Sequence, residues 1–111
     1  MSSVETVQRE LENASANAMD AITKLGTVKE DATKIQGELT NTLSSLDDII
    51  TQLAAVGAST AKAREAKAAV ESLRAPLKAA EQPINEAQAA LSTFRHGVTE
   101  VQAMVEAIAE D

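Results

Sequence analysis

Two apolar series with a seven-residue spacing run unbroken through the first half of the chain. One is Val4, Leu11, Ala18, Leu25, Ala32, Leu39, Leu46 and Leu53, here the Val4 row. The other is Val7, Ala14, Ala21, Val28, Ile35, Thr42, Ile49 and Val56, the Val7 row, in which only Thr42 is polar. A hydrophobic repeat of about 3.5 residues held this long specifies one extended helix with an apolar seam, and that seam must be covered by another helix. The second half repeats the pattern. Ala63, Val70, Leu77, Ile84, Leu91, Val98 and Val105 form one row, and Ala66, Leu73, Ala80, Ala87, Phe94, Val101 and Ile108 the other. The chain is therefore expected to be all-α, a two-helix antiparallel coiled-coil hairpin spanning 1–111 as a single domain.

Local signals set the boundaries. Ser2 followed by Glu5 has the S-x-x-E pattern of a capping box. Gly57 follows the last residue of the Val7 row and suits the left-handed position just past a helix end. Ser59 or Thr60 is then the next N-cap. The prediction is a helix over 3–56, a turn over 57–60 and a helix over 61–109. So short a turn sends the second helix back along the first. If Val56 lies opposite Ala63, facing residues always have numbers that total 119: Leu46 meets Leu73, Ile35 meets Ile84 and Leu25 meets Phe94.

Pro76 and Pro83 oppose an uninterrupted second helix, because proline removes a backbone donor and clashes with the preceding turn, at about 3 kcal/mol each. Two prolines also admit a break into three helices. The apolar phase nevertheless passes through both without a slip, and Ala75 and Gln82 are poor N-caps. The expectation is one helix kinked within 73–84.

The seam leaves apolar side chains over. Ile22, Leu43 and Ile50 share a flanking row on the first helix. Ala69, Pro76, Pro83, Ala90, Gly97 and Met104 form a charge-free row on the second. A two-helix hairpin buries only a narrow stripe. These nine residues are therefore the candidate partner interface, either with a second copy in a four-helix bundle or with another helical protein.

Composition excludes several classes of function. A net charge of −7 is unsuited to nucleic acid, whose phosphates need a basic surface. Lys62, Arg64, Lys67, Arg74 and Lys78 make one basic strip, read first as a solvated helix face and second as a partner site. There is no cysteine, hence no disulfide, thiolate metal site or cysteine nucleophile. His96 is the one histidine and lacks companions for a metal motif. Glu30 with Asp31 and Asp47 with Asp48 fall on outer faces, where nothing would separate their pKa values as a catalytic dyad requires. The four glycines are isolated and make no phosphate loop. No catalytic, cofactor-binding or metal-binding residue is assigned, and the chain is not expected to be an enzyme. MSSVETVQRE lacks a basic segment followed by an apolar core, so no cleavable signal is expected. No apolar run reaches the roughly 20 residues of an integral membrane segment.

In length and topology the chain resembles the small helical-hairpin proteins of type VII secretion, named for a Trp-x-Gly turn. Its turn reads AAVGAST, with Gly57 at the glycine and Ala55 at the place of Trp. The tail VQAMVEAIAED carries no Tyr-x-x-x-Asp/Glu signal. The resemblance implies a helical interaction protein, cytoplasmic or exported without a cleavable signal. The functional expectation is a non-enzymatic structural or interaction protein that dimerises or binds another helical chain. The alternative is an amphipathic hairpin that lies on a lipid interface, although such helices favour Lys and Arg with Trp or Phe anchors.

Overall fold

The computed structural model describes residues 3–110. Among them are four α-helices: α1 (Ser3–Ala55), α2 (Ala61–Glu71), α3 (Arg74–Ala79) and α4 (Glu81–Glu110). The fold is all-α. Ser2, the first half of the expected capping box, lies outside the described residues.

α1 holds 53 residues, about 80 Å at 1.5 Å per residue. Its threonines fit a helix because their hydroxyls donate back to carbonyls one turn earlier: Thr23 to Met19, Thr40 to Gln36, Thr42 to Glu38 and Thr51 to Asp47. The helix ends at Gly57, which takes φ 71°. The Ala58 amide donates to the Leu53 carbonyl at 2.9 Å and the Gly57 amide to the Ala54 carbonyl at 3.1 Å. This paired closure satisfies the last carbonyls and needs a left-handed residue, for which glycine carries no Cβ penalty. Thr60 precedes α2, but its hydroxyl makes no capping bond to the helix amides. Instead Ser59 Oγ accepts from the Ala61 amide, and Thr60 Oγ1 accepts from Arg64 Nε.

The expected single kinked helix over 61–109 is three helices. The interruptions are brief, and their flanking residues Ser72, Leu73 and Ala80 all keep right-handed helical φ and ψ. Their position follows from proline chemistry. Pro76 is the third residue of α3 and Pro83 the third of α4. In the first turn of a helix the amides have no intrahelical acceptor, so a missing N–H costs little there. Each proline has moved a helix start to just ahead of itself, and the apolar phase survives because the chain barely unwinds between segments.

Two compact units share α1: one comprises 1–27 with 83–111, the other 28–82. In the first unit, Arg95 Nε donates to Ser15 Oγ, and Gln88 Nε2 to the Ile22 carbonyl, both at 3.4 Å. Residue numbers rise along α1 as they fall along α4, so the two helices are antiparallel. In the second unit Lys67 Nζ meets Asp47 Oδ1 at 2.6 Å, Arg74 Nη2 donates to Thr40 Oγ1 at 3.1 Å, and Gln36 Nε2 to Glu81 Oε1 at 2.9 Å. There too the chain directions oppose. The numbers of these flanking polar pairs total 110 in the first unit and 114 to 117 in the second, against a seam total expected at 119 give or take one heptad step.

The packed seam also differs from the expected one by one row on each side. The Val4 row is protected throughout, as are Ala63, Val70, Leu77, Ile84, Leu91, Val98 and Val105. The second protected row of α1 is Gln8, Ser15, Ile22, Gln36, Leu43 and Ile50, not the Val7 row. On the returning helices it is Thr60, Lys67, Glu81, Gln88, Arg95 and Gln102, not the Ala66 row. Each helix is rotated about its axis relative to the expected seam. The long stems of Lys67, Gln88 and Arg95 cover the seam edge while their polar ends reach partners. The buried hydrophobics are few: Ala18, Ala32, Leu43, Val98 and Val105.

Candidate interaction surface

This rotation divides the surface of each unit into two unlike margins. The Gln8 and Thr60 rows meet along one margin, where Ile22, Leu43 and Ile50 alternate with polar side chains, several of them bonded across the helix pair. In the first unit Arg95 bridges Ser15 and also reaches Met19 Sδ at 3.2 Å. In the second, Asp47 with Lys67, Thr40 with Arg74 and Gln36 with Glu81 form successive rungs. No buried side-chain N or O among the described residues lacks a hydrogen-bond partner. The basic strip belongs largely to this chemistry: Lys62 pairs with Glu65, Arg64 with Thr60, Lys67 with Asp47 and Arg74 with Glu71. Lys78 borders a groove of about 530 Å³ with Gln36, Thr40, Arg74 and Glu81.

The opposite margin carries the Val7 and Ala66 rows, and it is uncovered. On α1, Val7, Val28, Ile35 and Ile49 remain 40–50% exposed. On the returning helices Leu73 is 54%, Phe94 40%, Val101 42% and Ile108 62% exposed. Because the polar rows occupy the other side of the seam, both apolar rows of a unit emerge on one face. Isolated exposed leucines and valines are ordinary. A helical row of them is not, because it sets apolar surface against water repeatedly along one side of the helix.

The nine residues expected to form a partner interface separate into two groups. Leu43 is 7% exposed, and Ile22 and Ile50 are half-buried, so this row is used inside the units and is not free for a partner. The cause is the rotated seam, which took in this row in place of the Val7 row. Ala69, Pro76, Pro83, Ala90 and Met104 are exposed and Gly97 is half-buried. These six border the Ala66 row on its outer side and extend the apolar face without adding charge. Sequence periodicity missed the largest members of that face, Ile35, Ile49, Leu73 and Phe94, by assigning them to the core. The available signal was width: α1 has three partly apolar rows, one more than a two-helix seam can cover.

No helix among the described residues is long and apolar enough to cross a membrane. No group of three or more His, Cys, Asp or Glu among them could hold a metal ion. His96 Nε2 lies 3.7 Å from Glu100 Oε1 on an open surface. Set against protein-family models, curated proteins and solved structures, the chain matches none.

Proposed function

We propose that this chain is a non-enzymatic interaction protein: a helical hairpin that works by presenting the apolar face of each of its units to another helical chain and assembling with it into a four-helix bundle. The observation that carries this reading is the exposed pair of rows through Val28, Ile35 and Ile49 and through Leu73, Phe94 and Val101. Two further facts support it. Among the described residues the buried hydrophobics are Ala18, Ala32, Leu43, Val98 and Val105, two of them alanines, so the closed core is small. The opposite margin carries the bonds of Arg95 with Ser15, Lys67 with Asp47 and Gln36 with Glu81, and its apolar members Ile22, Leu43 and Ile50 are protected within the units. A lipid interface fits less well, because the face has one aromatic ring and the acidic residues outnumber the basic ones 17 to 10.

Photo-crosslinking in the producing cells tests this. A benzophenone side chain at Phe94 should capture one discrete helical protein, either the same chain or another. The same group at exposed Glu30, on the outer side of α1, should capture none. Lipid adducts at Phe94, or no protein adduct there, would contradict the assignment.

A further inference from the structure

Resting on the interaction reading above, we infer that the apolar face of the first unit, 1–27 with 83–111, takes a partner of one chemical kind: an amphipathic helix whose apolar stripe is flanked by lysine or arginine.

Charge is divided unevenly between the two units. The stretches 1–27 and 83–111 hold three basic and nine acidic side chains, a net of −6. The stretch 28–82 holds seven basic and eight acidic ones, a net of −1. The three bases of the first unit do not offset the acids beside its apolar face. Arg95 belongs to the opposite margin, where it donates to Ser15. Lys24 is held by Asp20 at 2.9 Å. Arg9 stands on the side of α1 opposite the seam.

The edges of the face are acidic on both helices. Glu10 lies one turn from Val7 and Ala14, on their outer side. On α4 the row outside Ala90 and Met104 holds Glu86 and Glu100. Away from this face, Glu12 and Glu106 line a groove of about 350 Å³ with Gln8 and Gln102, and no base lines it with them. Their charge adds to a potential of the same sign, which draws a cationic partner toward the unit.

The face has the form that a single helix fills. From Phe94 to Ile108 it runs about 21 Å along α4, the length of about four helical turns. Phe94 and Val101 are 40% and 42% exposed, and Met104 and Ile108 63% and 62%. Across from them α1 presents Ala14 and Ala21, small side chains that let an incoming helix approach closely. An apolar stripe would cover the large side chains, and cations on its two edges would meet Glu10 and Glu100. A second copy of this unit would instead bring acids against acids.

The chain has no Trp or Tyr, so a tryptophan on a probe peptide reports its own burial without background. The probe is a synthetic helical peptide of about 18 residues, long enough to span the face, with a leucine stripe, one central tryptophan and lysine flanks. Two control peptides keep the stripe with glutamate flanks, or keep the lysines with the stripe scrambled. The lysine-flanked peptide should bind with a blue-shifted emission, several-fold more weakly as salt rises, and both controls should bind far more weakly. Val101→Lys should abolish binding, Glu10→Lys with Glu100→Lys should weaken it several-fold, and Ile35→Lys, in the other unit, should leave it unchanged. Circular dichroism confirms that each variant stays helical, and the charge pair keeps the test open if Val101→Lys does not. Equal binding of the glutamate-flanked peptide, no binding of the lysine-flanked one, or loss through Ile35→Lys alone would overturn the inference. If the Phe94 benzophenone still captures a helical protein in that case, the interaction reading stands and only the basic partner is lost.

Discussion

Leu43 and Ile35 are aliphatic residues on the same helix with opposite surroundings. Leu43 is 7% exposed in the seam of the second unit, and Ile35 is 45% exposed on the apolar face. Leu43→Ala removes packed methyl groups and leaves a cavity, so it should cost about 2–4 kcal/mol. Ile35→Ala should cost under about 1 kcal/mol in the isolated protomer, because its side chain is already half in water. Urea melts at low protein concentration measure both, and the reverse order would place the seam where the simple repeat put it. Thr42→Val belongs with Ile35. The Thr42 hydroxyl donates to the Glu38 carbonyl at 2.9 Å on an exposed surface, so losing it should change stability by no more than about 0.5 kcal/mol. Gly57 differs from these three. Its φ of 71° is a conformation in which a Cβ is strained, so Gly57→Ala should cost about 1 kcal/mol although nothing lies within 4 Å of the added atom.

Among the elements, the extent of α1 was legible from its repeat, and its C-terminal closure from one glycine. The second half was legible in its apolar phase but not in its continuity. Pro76 and Pro83 read in the sequence as interior prolines, whereas each is the third residue of a helix, and the Leu73 cap ahead of Pro76 makes no side-chain bond. Pro76→Ala should therefore change stability by less than about 1 kcal/mol, well short of the roughly 3 kcal/mol gained by removing an interior proline. It should also join α2 to α3, which carbon chemical shifts at Ser72 and Leu73 would report. A gain near 3 kcal/mol would show that the proline strains a continuous helix. The choice of seam rows was beyond sequence periodicity for a physical reason. A seven-residue repeat fixes the direction of an apolar stripe only to within a row. Which neighbour enters the seam depends on polar partners across the helix pair, such as Arg95 with Ser15 and Lys67 with Asp47, which no local pattern encodes.

For the whole molecule, the balance lies between a polar margin that the chain satisfies by itself and an apolar margin that it does not. Surface ion pairs contribute little each, about 0–1 kcal/mol. Most of the stability must then come from apolar burial, and among the described residues five hydrophobic side chains are deeply buried. Association and folding are expected to be linked, with a melting temperature that rises with protein concentration. Sedimentation equilibrium on the purified chain is the most direct measurement of that claim, read beside Ile35→Glu, which places a charge on the exposed face. The wild type should sediment as a dimer with Kd at or below about 10 μM, equivalent to about 7 kcal/mol, and Ile35→Glu should weaken it at least tenfold while staying helical. A wild-type chain that remains monomeric at about 100 μM, with melting independent of concentration, would contradict the claim that the exposed rows are covered by self-association.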